Sequence, residues 1–453
     1  MTPSAGDTAW ILTSAALVLL MTPGLALFYG GMVRGKSVLN MMMMSFGALG
    51  LISVLWVLYG YTLAFGDDVG GGLLGGLEFA GLEGLLAADP LGGVEGEAAG
   101  LPPMAFVGFQ AVFAIITVAL ISGAIADRAK FGAWMVFAGI WATVVYFPVA
   151  HWVFAFDGYT AEVGGWIAND LAAIDFAGGT AVHINAGAAG LALALVLGKR
   201  VGFGKEPIRP HNLTLVMLGA GLLWFGWFGF NAGSALGAGN TAAVAWVNTL
   251  VATAAASLAW LATERVRDGH ATSLGAASGV VAGLVAITPA CSAVGPLGAI
   301  AVGAVAGALC ALAVGLKYKL GYDDSLDVVG VHLVGGLVGT LLVGVLATAD
   351  APAGVDGLLY GGGLDQLWRQ AVAAGSVMVF SFVGAYVIGK LIDVTMGFRI
   401  SAEAEVAGVD LTTHAESAYE LGAVTGGGYR ATAPSTAAGS TAVDATTRER
   451  VQA

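Results

Sequence analysis

Apolar positions in this chain gather into eleven runs, separated by short polar or glycine-rich stretches. They fall at residues 9–31, 38–65, 104–124, 131–156, 179–198, 212–231, 242–263, 271–289, 295–316, 328–348 and 370–396. Each approaches or exceeds the ~20 residues that one bilayer crossing needs. Backbone polar groups in hydrocarbon must be satisfied within their own segment, so runs of this length predict helices. The pattern predicts an all-α polytopic membrane protein of eleven transmembrane helices.

The polar intervals alternate in charge. Arg34 and Lys36 follow the first run, Arg128 and Lys130 the third, and Lys199, Arg200, Lys205 and Arg209 the fifth. Arg265 and Arg267 follow the seventh, Lys317 and Lys319 the ninth, and Lys390 and Arg399 close the eleventh. The remaining intervals hold Arg369 against many acids, among them Asp67, Glu78, Asp157 and Glu162. Cytoplasmic loops are the basic ones, which puts the N-terminus outside and the C-terminus inside. An odd number of crossings is required, and eleven meets it. Residues 1–400 form the expected membrane domain. Residues 401–453 form a polar cytoplasmic tail, expected to be disordered from about 430.

Composition sharpens this picture. Of 453 residues, 57% are hydrophobic and 11% charged, against about 25% charged in a soluble domain. The 71 glycines suit close helix packing in lipid, and Gly178, Gly179, Gly187 and Gly190 are read that way. They are not a phosphate loop, since no strand precedes them. A net charge of −12 argues against a nucleic-acid partner. Cys291 and Cys310 suggest neither a disulfide framework nor a metal site. No cleaved signal peptide is expected, because no basic stretch precedes the first run. No nucleophile–base pair stands in the runs, so neither enzyme chemistry nor a cofactor is expected.

Two runs carry ionisable residues. Asp175 opens the fifth, with His183 about two helical turns further on. Asp327 opens the tenth, followed by His332. An ionisable group within a membrane segment is costly and faces the protein interior or a water path. Five runs per half is an odd number, so equivalent runs would cross in opposite directions. The pairs therefore suggest an inverted five-helix repeat plus one extra helix, with a path between the halves.

Neutral imidazoles along an apolar path can donate and accept hydrogen bonds and relay protons. A bare cation pays several kcal/mol to enter such a medium. A small amine cation escapes that cost by releasing a proton, as a buried amine does when its pKa falls. Phe109 and Phe113 share one helical face. The sixth run supplies Trp227, Phe230 and Ser234. Aromatic faces attract a desolvated ammonium by up to roughly 2 kcal/mol, and a hydroxyl can accept one of its protons.

Five stretches carry a resemblance. They are Phe28-Tyr-Gly-Gly-Met-Val-Arg-Gly-Lys36, Asp175-Phe-Ala-Gly-Gly-Thr through His183-Ile-Asn-Ala, Gly198-Lys-Arg-Val-Gly-Phe-Gly-Lys205, Gly226-Trp-Phe-Gly-Phe-Asn-Ala-Gly-Ser234 and Asp327-Val-Val-Gly-Val-His332. In type and order they resemble the ammonium transporter family (Amt, related to the Rhesus proteins), in its prokaryotic form. The resemblance implies a homotrimer with one pore per subunit, taking ammonium, ammonia and methylammonium. It implies an outer recruitment site at Phe113 and Ser234, with Phe109 as a second vestibule aromatic. Phe113 and Phe230 become the gate. Asp175 becomes a buried support, His183 and His332 the pore pair, and Trp227 a pore-wall residue.

One position departs from the family. Ala150-His-Trp-Val-Phe154 places Phe154 where a tryptophan is usual. Trp152 stands two residues earlier, about 200° round a helix, and cannot simply replace it. A weaker outer site, or a compensating change, is expected. The tail stretch Gly408-Val-Asp-Leu-Thr-Thr-His414 is also similar to the family's regulatory tail, with Ala415 where glycine is usual. That implies contacts between subunits and a PII-type signalling partner on the cytoplasmic face.

Plainer readings stand beside these. Asp175 is in part a helix cap. Phe109 and Trp227 by themselves read as packing, and His151, His211 and His270 have no pore role. At the level of function, a Rhesus-like neutral gas channel and an ammonium sensor with incidental transport remain open.

Overall fold

The computed structural model describes residues 3–92 and 100–419, and the expected disorder beyond about 430 lies outside them. Among the described residues there are helices and isolated β-bridges but no β-strand. Eleven helices occupy the eleven apolar runs. They are α1 Ala5–Met32, α2 Val38–Phe65, α3 Pro103–Ile125, α4 Phe131–Phe154, α5 Gly179–Leu197, α6 Leu213–Gly233, α7 Asn240–Asp268, α8 Ser273–Ile287, α9 Pro296–Leu320, α10 Val329–Leu346 and α11 Asp365–Met396.

Ten of these are long and apolar enough to cross a membrane. The exception is α8, a helix of 15 residues, or roughly 22 Å. Its run was expected to continue to residue 289. Pro289 ends it, because proline lacks an amide donor and its ring clashes with the preceding turn. Helices α7 and α11 begin earlier or end later than their apolar runs, since charged residues such as Arg265, Arg267 and Asp365 sit in their terminal turns.

Glycine sets how closely these helices meet. A Cβ on Gly219 of α6 would lie 2.4 Å from the backbone nitrogen of Phe28 on α1. Helices α1 and α6 thus touch backbone to backbone, as small residues permit in lipid.

The basic loops that follow α1, α3 and α5 come together. At one end Arg200 pairs with Asp127 at 3.0 Å and Asp323 at 2.9 Å, and Arg34 reaches Asp127 at 3.4 Å. Buried Arg128 donates to Ser325 and to the Asp323 carbonyl. Burial pulls its guanidinium down to about 10, which leaves it charged at neutral pH.

The tail starts at this end. A short helix, α12 (Ala402–Ala407), buries Glu405, which accepts from Arg34, Arg399 and the Val201 amide. Asp410 accepts from the amides of Leu39 and Asn40 at 3.0 and 2.8 Å, capping α2. His414 Nε2 lies 3.0 Å from Asn40 Oδ1. At the other end, acidic loops interlock. Asp67 accepts from the Glu162 amide, and Asp157 from the Gly164 amide at 2.7 Å.

Candidate functional site

The site begins with a carboxylate that builds a helix start. Asp175 Oδ1 accepts from the amides of Gly178 and Gly179 at 2.9 and 2.6 Å. Its Oδ2 accepts from Thr180 and Ala181 at 2.7 and 3.0 Å. These are the donors a helix start leaves unpaired, so Asp175 is a cap as well as a support. Gly178 has φ 113°, and a Cβ there would also meet Val182 at 2.5 Å. Its role is the left-handed turn, not the helix packing expected of it. The helix then opens with a π-turn, Gly179–Ile184, which holds His183.

α10 repeats this construction one for one, but with a different aspartate from the one expected. Asp324 accepts from the amides of Val328 and Val329 at 3.1 and 2.8 Å. It stands eight positions before His332, as Asp175 stands eight before His183. Asp327 matches Gly178 instead. It is the left-handed residue, at φ 63°, and its carboxylate pairs with Lys317 at 2.7 Å. A π-turn, Val329–Leu333, then carries His332. The equal spacing was present in the sequence and would have singled out Asp324. Burial raises the Asp324 carboxyl to about 6, against the opposing pull of Lys317.

The two helices cross closely enough for their histidines to meet. A Cβ on Gly187 would lie 2.5 Å from the Leu333 backbone nitrogen. His183 Nδ1 and His332 Nδ1 are 3.3 Å apart, with ring centroids 5.3 Å apart and planes at 26°. Trp227 stacks on His183 at 5.3 Å and 19°. Its indole N–H donates to Thr288 at 2.9 Å, which holds the ring in place. Beside these rings lies a cavity of about 10 Å³, lined by His183, His332, Trp227, Phe230 and aliphatic side chains such as Ile116 and Leu223. That is room for about one water-sized molecule.

Phe113 and Phe230 are stacked at 4.1 Å and 20°, and Phe230 also lines the lumen. Phe109 packs against Phe113 at 4.9 Å and is fully buried. Ser234 ends α6 one turn beyond Phe230, and its hydroxyl donates to the Phe230 carbonyl at 2.9 Å. The lone pairs of that hydroxyl stay available to a donor.

Ser234 and Asp175 also line a second cavity of about 400 Å³, together with Phe156, Phe176, Thr241 and Ser292. Phe156 and Phe176 were not foreseen. Phe154 is buried and does not line this cavity; it reaches the Gly178 turn. Trp152 donates to the Leu73 carbonyl at 2.8 Å and packs on Phe380. His151 is buried, 3.4 Å from Asp68 at the end where the acidic loops lie.

Comparison with known proteins decides the family. The profile of the Ammonium Transporter Family matches residues 9–419. This chain belongs to the ammonium transporter family. Relatives include an ammonium transporter of Mycobacterium tuberculosis (strain ATCC 25618 / H37Rv), 64% identical over 94% of this chain and 92% of that one. Another, from Bacillus subtilis (strain 168), is 47% identical over 92% and 98%. Among solved structures, Saccharomyces cerevisiae Mep2 is similar with a TM-score of 0.78 at 34% identity, over 89% of this chain and 91% of that one. A "Sensor Amt Protein" is similar with a TM-score of 0.81 at 27% identity, over 90% and 98%. The ammonium transporter family is one of transporters, not enzymes, and the ten spanning helices make this member a multi-pass membrane protein.

Proposed function

We propose that this protein takes up ammonium from the outer, acidic end and delivers it to the end where the tail lies. Ammonium is captured at Phe113 and Ser234, with Phe109 behind and Asp175 fixing the turn beneath, while buried Phe154 backs that turn. It gives up a proton at the Phe113–Phe230 gate. Ammonia crosses beside Trp227, His183 and His332. The proton returns outward or follows along the imidazoles.

The observation that carries this reading is the pairing of His183 with His332 on an apolar lumen of about 10 Å³. A hydrated ion does not fit there, and a bare cation finds too few acceptors to replace its water. Ammonia needs little of either. Eleven crossings would set the N-terminus outside, with the Lys/Arg-rich loops and tail in the cytoplasm. The proposal extends to a homotrimer and to a PII-type partner on the tail face, where Lys199, Lys205 and Arg209 supply positive charge.

The test is uptake by purified protein in lipid vesicles. Saturable uptake of ammonium and methylammonium supports capture at an outer site. Linear flux up to millimolar ammonium supports the gas-channel alternative, toward which Phe154 leans. Current on an ammonium step identifies proton relay, and its absence removes the electrogenic version.

A further inference from the structure

Trp227 forms part of the lumen wall, with its indole flat against His183. A ring of that size in an apolar wall has one directional handle, its N–H. Thr288 accepts it, and Thr288 is itself tied further. Its hydroxyl lies 2.7 Å from the Leu284 carbonyl and 3.2 Å from Asn231 Oδ1, so its proton goes on to one of them. Asn231 stands one turn after Trp227 on α6 and donates to Thr249 on α7 at 2.9 Å. Thr249 in turn donates to the Ala245 carbonyl at 2.7 Å. This relay joins α6, α7 and the end of α8. Thr288, Asn231 and Thr249 are fully buried, and none of them lines the lumen. Any effect they have on a solute therefore passes through Trp227.

The end of α8 braces both rings of the stack. Thr288 caps the helix, and Pro289 follows it. A Cβ on Gly179, at the start of α5, would lie 2.5 Å from the Pro289 ring, and the Pro289 carbonyl accepts from the Phe176 amide at 3.3 Å. Two neighbouring residues thus hold the Trp227 indole on one side and the turn that leads to His183 on the other.

We propose that Thr288, backed by Asn231 and Thr249, is a positioning residue that sets the tilt of the Trp227 indole and with it the width of the lumen, which makes it a determinant of size selectivity between ammonia and methylamine. The proposal rests on the transport reading above. Trp227 is packed on its protein side, so the lumen is the open space into which an unpinned ring turns. A lumen with room for about one water-sized molecule loses methylamine before it loses ammonia when the ring tilts inward. Capture at Phe113 and Ser234 comes earlier on the path and does not draw on this relay.

The experiment measures KM and the maximal rates of methylammonium and ammonium uptake by the intact protein in lipid vesicles. Absence of uptake in the unsubstituted protein would refute the transport reading itself. Given uptake, Thr288→Val keeps the branched shape and removes the hydroxyl. It is expected to lower the ratio of methylammonium to ammonium maximal rates about three- to tenfold, the scale of one lost buried hydrogen bond, and to leave KM in place. Thr288→Ser keeps the hydroxyl and is expected to keep the ratio. In a Trp227→Phe background, whose ring has no N–H, Thr288→Val is expected to change the ratio no further. Thr249→Val, at the far end of the relay, is expected to lower the ratio about twofold. A ratio unmoved by Thr288→Val, a drop that Thr288→Ser shares, or an equal drop in the Trp227→Phe background would overturn the proposal. Should Thr288→Val fail to fold, a ratio unmoved by Thr249→Val overturns it instead.

Discussion

His183 and His332 face each other through the same ring atom, Nδ1 to Nδ1, at 3.3 Å. Two neutral imidazoles so placed must be complementary tautomers, one donating and the other accepting. Each ring thereby fixes the other, and both Nε2 atoms are the ones left for a solute. Replacing either with alanine should lower methylammonium uptake about tenfold or change its selectivity, since a buried partner is left unpaired. The protein should still fold. Uptake and selectivity equal to those of the unsubstituted protein would remove the pair from the transport path.

Asp175→Asn keeps the shape of the side chain but replaces one accepting oxygen with a donor. The amides of Thr180 and Ala181, or of Gly178 and Gly179, would then lose their acceptor. A cost of about 1–3 kcal/mol is expected, read as a lower Tm together with impaired uptake. Unaltered Tm and kinetics would contradict the capping role.

Gly187→Ala tests the crossing of α5 and α10. Its methyl group would sit 2.5 Å from backbone, so the helices must part. A loss of about 1–3 kcal/mol and slower uptake are expected. Gly108→Ala on α3 is the control, with nothing within 4 Å of the new Cβ. It should be neutral, or stabilise by up to about 1 kcal/mol. Equal Tm changes for the two variants would refute the packing account.

Asp410→Ala removes the cap that the tail places on α2, at a cost of about 1 kcal/mol. It should also loosen the tail. Limited proteolysis should cut between α11 and His414 faster in the variant. Equal cleavage rates would contradict a docked tail.

The Asp324 carboxyl is raised by burial to about 6, from an ordinary value near 4. A raised folded-state value means the folded protein binds the proton more tightly than the unfolded chain. That contribution is full below pH 4 and lost as pH rises to about 6. Asp324→Asn cannot titrate. Stability of the parent relative to this variant should therefore fall between pH 4 and 6, followed by thermal melts. A pH-independent difference would refute the shift.

Much of this was legible in the chain. Each of the eleven apolar runs became a helix among the described residues, ten of them long and apolar enough to span, because hydrocarbon leaves a backbone few other choices. The histidines were legible because ionisable groups are rare in such runs. What hydropathy could not find is instructive. The aspartate matched to Asp175 was taken as Asp327, because that residue opens the apolar run. Helix capping depends on distance to the first free amides, and Asp324 has that distance while Asp327 occupies the turn. The extent of α8 was misjudged because Pro289 is apolar by composition and a breaker by geometry. Phe156 and Phe176 went unnoticed because each sits outside a helix, where no periodicity assigns a face. Their place in one cavity comes from loops folding over the bundle.

The central claim is that charge is shed before passage, so the decisive comparison is with a cation of similar size that has no proton to lose. Potassium is that ion. Purified protein in vesicles, given equal inward gradients of ammonium and potassium, should admit the first and exclude the second. Potassium flux approaching that of ammonium would contradict the account, since a lumen that passes both does not require deprotonation.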